Sequence, residues 1–272
     1  IVTAIIAIII GVIILFLSDT IVLYIAVSAI SGLIIYELFH AKDFLKYKTS
    51  FAVCLAFSVL LPFFYLKITT SYLGIFVFLL ALTLFVTLIM QHKDMTFDNV
   101  SFMICTTLSV SFSLCTLILI KNSNGSDGVF YLIIALASAW FTDAGAYFIG
   151  TFFGKNKLCP NISPKKTVEG AIGGLIVNCI VIIIAAIGYN CFFSGSGANR
   201  EINYILILIY GAVSAVISVI GDLAASLLKR QCQIKDFGNI LPGHGGMLDR
   251  FDSVLFVAPF TYLILKFSLF FN

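Results

Sequence analysis

Long apolar runs separated by short polar connections occupy most of this chain. A helix needs about 20 apolar residues to cross the hydrocarbon core of a bilayer, and nine stretches reach or approach that length. The first two are separated by little more than Ser18 and Asp19, which predicts a tight helical hairpin. The predicted spans are 1–17, 20–36, 51–66, 72–90, 100–120, 128–150, 169–193, 202–228 and 251–271.

The runs predict helices rather than the strands of a membrane barrel. Barrel strands alternate apolar and polar residues, which these runs do not, and a helix in lipid satisfies its own backbone groups. The chain is 61% hydrophobic and 11% charged, with a mean hydropathy of +1.11, whereas a soluble domain carries about 25% charged residues. We therefore predict an all-α, polytopic membrane protein with about nine transmembrane helices.

The cysteines and histidines indicate neither a disulfide framework nor a zinc site. The seven cysteines form no CxxC pair, and the three histidines are far apart in the chain. We expect free thiols and no zinc site of the HExxH type. No cleavable secretory signal is expected, because the first apolar run lacks a basic start and a cleavage site. Since the sequence begins at Ile1 rather than Met, we expect residues to precede it.

Basic residues are concentrated on one side of the predicted membrane. Twelve of the 16 Lys and Arg residues lie in the connections 37–50, 91–99, 150–168 and 229–250. The positive-inside rule places these connections in the cytoplasm. We therefore predict a cytoplasmic N-terminus, an external C-terminus and a glycine-rich cytoplasmic loop before the last helix.

The segment KDFGNILPGHGGMLDRFD, residues 235–252, concentrates glycines and charges directly before the last span. Pro242 and four glycines exclude a continuous helix here and predict a shaped loop. Backbone amides beside glycine can approach phosphate oxygens closely, which makes Gly245 and Gly246 candidates for polyphosphate binding. Asp249 stands where the last span begins, a position suited to holding a cation. The alternative is an ordinary solvated loop.

Two carboxylates interrupt apolar spans. Asp222, Ser226 and Lys229 have the spacing of one helix face, and Asp143 lies within the sixth span. A carboxylate inside a membrane is costly and usually lines a cavity or meets a partner. Both aspartates are therefore candidate metal ligands. The alternatives are a simple pairing of Asp222 with Lys229 and a hydrogen bond between helices at Asp143.

The segment SPKKTVEGAIGG, residues 163–174, runs from a cytoplasmic connection into the seventh span. Ser163 and Pro164 resemble the start of a helix. Lys165 and Lys166 can face a phosphate, or act only in setting the membrane topology. The glycines that follow allow close contact between helices.

Residues 226–252, SLLKRQCQIKDFGNILPGHGGMLDRFD, resemble the signature of the phosphatidate cytidylyltransferases, also called CDP-diacylglycerol synthases. Every fixed position of that signature is present, namely Ser226, Lys229, Arg230, Lys235, Asp236, Gly238, Pro242, His244, Gly245, Gly246, Asp249, Arg250 and Asp252. SPKKTVEG resembles the family's second motif, which often has Trp where Val168 stands. Asp143 and Asp222 match acidic positions of the family. The specific resemblance covers about 138–270, so we expect a catalytic region at 138–272 and a scaffold of helices at 1–137.

The resemblance implies an enzyme that converts CTP and phosphatidate to CDP-diacylglycerol and pyrophosphate. It implies Mg²⁺ dependence and a homodimer in the membrane. It also implies a cation pair at the aspartates matching Asp222 and Asp249, with K⁺ a candidate for one of the ions. No nucleic-acid partner is expected.

We expect the site residues to take three roles. Asp222 and Asp249 would hold the metal, with Asp143 close by. The predicted catalytic residues are Asp222, Asp249, Lys229 and Arg250. The predicted substrate-binding residues are Lys165, Lys166, Glu169, Ser226, Arg230, Lys235, Asp236, His244, Gly245 and Gly246. His244 would bond a phosphate oxygen or brace the loop.

Two other functions stay open at the level of sequence. A CTP-dependent kinase of polyprenol-type lipids shares the membrane setting and the nucleotide, but it needs a base for its alcohol acceptor. A phosphate monoester is largely dianionic at neutral pH and needs none. A membrane transporter often pairs broken helices in its two halves, whereas the glycine-rich acidic clusters here are confined to the second half.

Overall fold

Helices make up nearly all of the computed structural model, which describes residues 2–66, 72–123, 125–193, 203–238 and 245–267. The helices are α1 (Val2–Phe16), α2 (Val22–Ala41), α3 (Lys48–Phe64), α4 (Leu73–Met90), α5 (Phe97–Ser123), α6 (Gly128–Phe153), α7 (Val168–Phe193), α8 (Tyr204–Gln231), α9 (Leu248–Phe251) and α10 (Val254–Lys266). Two single-turn 3₁₀ helices, Phe44–Lys46 and Gly125–Asp127, follow α2 and α5.

Each predicted apolar span coincides with a helix over its described residues, and positions 268–271 of the last span lie outside them. The prediction of an all-α polytopic membrane protein is confirmed. Within the described residues, six helices are long and apolar enough to cross a membrane, namely α2, α4, α5, α6, α7 and α8. The apolar helix α3 has 17 residues, while α1 and α10 have 15 and 13. The short helix α9 lies between the glycine-rich loop and α10.

The prediction of a helix start at Ser163 and Pro164 is wrong, because these residues open a strand. Strand β1 (Lys157–Cys159) pairs antiparallel with β2 (Ser163–Thr167). Proline biases the residue before it towards extended backbone, which favours a strand at this point. The helix begins only at Val168, and Thr167 caps it by accepting the Gly170 amide on Oγ1 at 3.1 Å.

The chain forms two compact units. Unit 1 contains Ile1–Leu119 and Cys232–Arg250, and unit 2 contains Ile120–Gln231 and Phe251–Asn272. The signature at 226–252 therefore divides between the units, with 232–250 in unit 1 and its two ends in unit 2. The sequence-based assignment of catalysis to 138–272 and of a scaffold to 1–137 stays a prediction.

Glycines bring α6 and α7 together within unit 2. A Cβ added at Gly174 would lie 2.6 Å from the backbone oxygen of Thr142, and one at Gly170 would lie 2.7 Å from that of Ala146. These glycines therefore let the two helix backbones approach more closely than larger residues would allow. The close helix contact expected of this motif is present, and it fixes α6 against the helix that follows the hairpin.

Buried apolar residues pack α2 against α3 in unit 1. Ile35, Phe39 and Leu61 are fully buried. Gly32 on α2 faces Val59 on α3, and the Ser28 hydroxyl donates to the Val59 carbonyl at 2.7 Å. This packing holds the C-terminal end of α2, which carries Glu37, in a defined position.

Candidate active site

A cluster of hydrogen-bonded polar side chains joins three helical segments of unit 2 around Asp143. The Ser253 hydroxyl, just before α10, donates to Asp143 Oδ2 at 3.0 Å. The Ser218 hydroxyl on α8 lies 3.4 Å from Asp143 Oδ1. Asp143 on α6 therefore makes the hydrogen bonds between helices that were the alternative interpretation of this residue, and these bonds connect α6 with α8 and the start of α10.

Lys166 on β2 reaches the second membrane carboxylate, Asp222 on α8. Its Nζ lies 2.5 Å from Asp222 Oδ2, and the two side chains are 22% and 29% exposed. The contact is an ion pair between a lysine and an aspartate of different elements. Successive residues of a strand point to opposite faces, which explains why Lys166 turns inward while its neighbour Lys165 is exposed.

Three carboxylates of unit 2 lie close enough to repel one another. Asp143 interacts electrostatically with Asp222 and Asp252, and Asp252 with Asp222. Lys166 acts on Asp143 and Asp252 as well as on Asp222, and Lys229 acts on Asp252. The geometry therefore gathers oxygen ligands and negative charge beside two lysines.

A glycine brings the start of α10 close to α8 next to Asp222. A Cβ at Gly221 would lie 2.9 Å from Phe256 and 3.0 Å from the backbone oxygen of Asp252. Asp252 is buried and accepts the Ser253 amide at 2.7 Å. The signature aspartate at 252 is therefore held at the start of α10, on the side of α8 where the chain places Asp222.

Two other predicted site residues of unit 2 hold the β-hairpin. Arg230 Nε donates to the Ile162 carbonyl at 3.2 Å, which ties the end of α8 to the hairpin turn. Glu169 accepts the backbone amides of Lys155 and Asn156, each at 3.1 Å, and the Asn156 side chain at 2.7 Å. Glu169 thus fixes the chain between α6 and β1. Ser226, on the same helix as Asp222, is buried.

Asp249 closes the glycine-rich loop of unit 1. Its Oδ2 accepts the backbone amides of Phe237 at 3.0 Å and Gly246 at 2.9 Å, so one oxygen joins the two ends of the loop. Gly245 has a φ of +78°, a conformation that favours glycine. The predicted residues Lys235, Asp236 and Arg250 are exposed. His244 and Pro242 lie outside the described residues.

Sequence reasoning missed Glu37, a carboxylate near the C-terminal end of α2 that is only 1% exposed. Its Oε1 accepts the Met247 amide at 2.7 Å and its Oε2 accepts the Leu248 amide at 2.8 Å. The available signal was a lone acidic residue directly after the predicted span 20–36. Its partners lie 210 and 211 residues away, a distance that no local pattern reveals.

The oxygen donors of unit 2 suit a magnesium ion. Among the described residues, no group of three His, Cys, Asp or Glu side chains forms a ready-made metal site. Mg²⁺ needs no such group, because it usually binds one or two carboxylates and completes its coordination with water and substrate phosphates. Asp222 and Asp252 offer carboxylate oxygens of this kind. Asp249 belongs to unit 1, and its pairing with Asp222 at a cation stays a prediction.

A family model described as the cytidylyltransferase family matches residues 1–268. The chain belongs to the cytidylyltransferase family. The phosphatidate cytidylyltransferase of Bacillus subtilis is 40% identical over 193 residues, which cover 71% of this chain and 67% of that protein. The proteins of the same name from Staphylococcus haemolyticus and Staphylococcus saprophyticus are 45% and 44% identical over 140 residues, which cover 52% of this chain.

The aligned part spans half the length of the two Staphylococcus proteins. Membership of the cytidylyltransferase family confirms the resemblance drawn from residues 226–252 and the prediction of a nucleotidyltransferase in a membrane. It favours the cytidylyltransferase interpretation over the lipid-kinase and transporter alternatives.

Proposed function

We propose that this chain transfers the cytidylyl group of CTP to phosphatidate and leaves CDP-diacylglycerol in the membrane. The observation that carries the proposal is the complete signature at 226–252, which is built around Asp249 in unit 1 and continues into the buried Asp252 of unit 2. The relatives from Bacillus and Staphylococcus bear the name of this activity.

The reaction exchanges one phosphorus–oxygen bond for another. A phosphate oxygen of phosphatidate forms a bond to the α-phosphorus of CTP, while the bond from that phosphorus to the bridging oxygen breaks and pyrophosphate leaves. The attacking monoester is already largely dianionic at neutral pH, so no side chain has to remove a proton. The main obstacle is repulsion between the lipid anion and the nucleotide anion.

The lysines of unit 2 are placed to reduce that repulsion. Lys166 lies beside the three carboxylates of unit 2 and pairs with Asp222. Lys229 interacts electrostatically with Asp252. An ammonium in a water-poor site interacts with a phosphate more strongly than it would in bulk water. We assign Lys166 and Lys229 to phosphate oxygens at the reacting end of the substrates, and the exposed Lys165 and Arg250 to outer phosphates.

Asp222 would hold the Mg²⁺ ion, with Asp252 and Asp143 adding negative charge beside it. When bound, the ion neutralises charge on the phosphates and on the departing pyrophosphate. The side chains of the chain orient the ligands: Ser218 and Ser253 fix Asp143 by hydrogen bonds, and Lys166 fixes Asp222. K⁺ as a second ion and a homodimeric assembly belong to the same proposal.

The distribution of basic residues supports a cytoplasmic site. The hairpin and the glycine-rich loop both lie in connections that carry most of the Lys and Arg residues, which the positive-inside rule assigns to the cytoplasm. CTP is available there. The N-terminus is then inside and the C-terminus outside.

Labelled CTP tests the proposed reaction directly. In purified protein reconstituted with phosphatidate and Mg²⁺, α-labelled CTP is expected to place its label in the lipid fraction, and γ-labelled CTP is expected to release it as pyrophosphate. Transfer of the γ-label to lipid would identify a kinase and contradict the proposal. A matched reaction with diacylglycerol in place of phosphatidate is the control, and it should give no labelled lipid.

A further inference from the structure

Two carboxylates of unit 1, Asp249 and Glu37, accept hydrogen bonds from the backbone at the ends of the signature loop. Asp249 Oδ2 accepts the amides of Phe237 and Gly246. Glu37 accepts the next two amides along the chain, those of Met247 and Leu248. Four backbone donors of this loop therefore end on two side chains, and Glu37 contributes its share from a helix more than 200 residues away in sequence.

Glu37 also accounts for two glycines of the loop. A Cβ at Gly238 would lie 2.7 Å from Glu37 Oε1, and a Cβ at Gly246 would lie at the same distance from the same atom. Neither glycine has a positive φ, so backbone conformation does not demand glycine at these two positions. The carboxylate occupies the space that a Cβ at either position would take, so a larger residue there would displace it.

A carboxylate this deeply buried is unfavourable unless hydrogen bonds compensate for its lost hydration. A packing role alone would be met by Leu or Met, which are common at the buried end of such a helix. The two charge-assisted bonds to consecutive amides instead fix the path of the chain immediately before Asp249. Glu37 thus fixes the backbone that leads into Asp249, through its bonds to the amides of Met247 and Leu248.

We propose that Glu37 is a positioning residue of this enzyme. From α2 it holds the signature loop so that the Asp249 carboxylate keeps the position that the reaction needs. The proposal rests on the proposed cytidylyl transfer and assigns to helix α2 a part in it. The first helices are then more than a scaffold for the catalytic region.

The first test compares Glu37→Gln and Glu37→Ala with the unchanged enzyme. We expect kcat to fall by about a hundredfold in Glu37→Ala, since small displacements of a catalytic group have effects of this size. Glu37→Gln keeps one acceptor oxygen and should lose less. The KM for phosphatidate should stay within about twofold, while the Mg²⁺ concentration needed for half-maximal rate should rise.

Asp43→Asn is the matched control for loss of a carboxylate from the same unit. Asp43 is exposed and forms an ion pair with the nearby Lys46. Its φ of 57° is one that Asn also adopts readily. The control should leave kcat, KM and the Mg²⁺ requirement unchanged, so an effect shared by both variants would overturn the proposal.

Hydrogen exchange separates positioning from a general loss of stability. In Glu37→Ala the amides of 247 and 248 should exchange about ten- to a hundredfold faster, while amides in α6 and α7 keep their protection. Faster exchange throughout the protein, with normal kcat per folded molecule, would overturn the proposal. This measurement needs no substrate, so it tests Glu37 even if labelled CTP gives no CDP-diacylglycerol and the proposed function fails.

A double substitution tests the connection between Glu37 and Gly238. In Gly238→Ala the new methyl group would push the carboxylate away from its two amides, so the variant should lose activity much as Glu37→Ala does. The double variant Glu37→Ala/Gly238→Ala should then be no worse than either single variant, because the displaced group is already absent. Full additivity of the two losses would contradict the proposal.

Discussion

Lys166 and Asp222 bring opposite charges within 2.5 Å in a chain with few ionisable side chains. Two further carboxylates, Asp143 and Asp252, interact electrostatically with both Asp222 and Lys166. The lysine therefore offsets part of the repulsion among three aspartates while the substrates are absent. In the proposed reaction the same ammonium binds a phosphate. Replacing Lys166 therefore tests the proposed role of the hairpin in substrate binding.

Replacing Lys166 by Ala is expected to lower kcat/KM by about a hundredfold, a loss typical of removing one charged or hydrogen-bonding group from a reaction centre. Steady-state rates with varied CTP and varied phosphatidate measure the effect. Lys157→Ala removes the same charge from the exposed face of the same hairpin and should change kcat/KM by less than about twofold. Equal losses in both variants would contradict the role of Lys166.

The helices α6 and α7 show how an element positions the site. Asp143 lies on α6 and Lys166 lies just before α7, so the separation of these two helices affects both residues. Glycines at 170 and 174 set that separation, because the added Cβ atoms would meet backbone oxygens of α6. Backbone atoms have little freedom to move aside, so larger residues must push the helices apart.

Gly174→Ala is expected to destabilise the protein by about 1–3 kcal/mol, the usual cost of overpacking a close contact. The thermal unfolding midpoint in detergent should fall accordingly. Gly188→Ala lies on the same helix with nothing within 4 Å of the new Cβ, and it should leave the midpoint unchanged or slightly raised. A midpoint that Gly174→Ala does not lower would show that the helices are not held at this distance by glycine.

Sequence predicted the elements well where one physical rule dominates. Apolar length gave all nine helix positions to within a few residues, because lipid leaves the backbone no alternative to a helix. The β-hairpin at 157–167 was missed because its strands have three and five residues and no apolar pattern. Ser163 and Pro164 suit a helix start as well as an extended strand, and the Thr167 cap decided between them.

The sequence predicted which residue types form the site, but it did not predict the contacts between residues that are distant in the chain. The signature supplied Asp249 and Lys229, and the second motif supplied Lys165 and Lys166. Asp222 was found as a carboxylate that interrupts an apolar span. The ion pair of Lys166 with Asp222 joins residues 56 positions apart by number, and the support of the loop by Glu37 spans 210. Contacts of this kind depend on how helices pack, which a single sequence does not display.

At the scale of the whole molecule, the signature runs through both compact units. Residues 232–250 belong to unit 1, and Asp222 and Asp252 belong to unit 2. The family resemblance assigns a catalytic role to Asp249 of unit 1, as it does to Asp222 of unit 2. A charge-removing change at Asp249 should therefore stop catalysis while unit 2 keeps all its residues.

The most direct test of this requirement is the transfer of α-labelled CTP to phosphatidate by Asp249→Asn in reconstituted membranes. Asparagine keeps an acceptor oxygen for the amides of Phe237 and Gly246, so normal membrane insertion is expected and should be confirmed in parallel. The account predicts that the unchanged enzyme forms labelled CDP-diacylglycerol and that Asp249→Asn forms almost none. Substantial product from correctly inserted Asp249→Asn would contradict it.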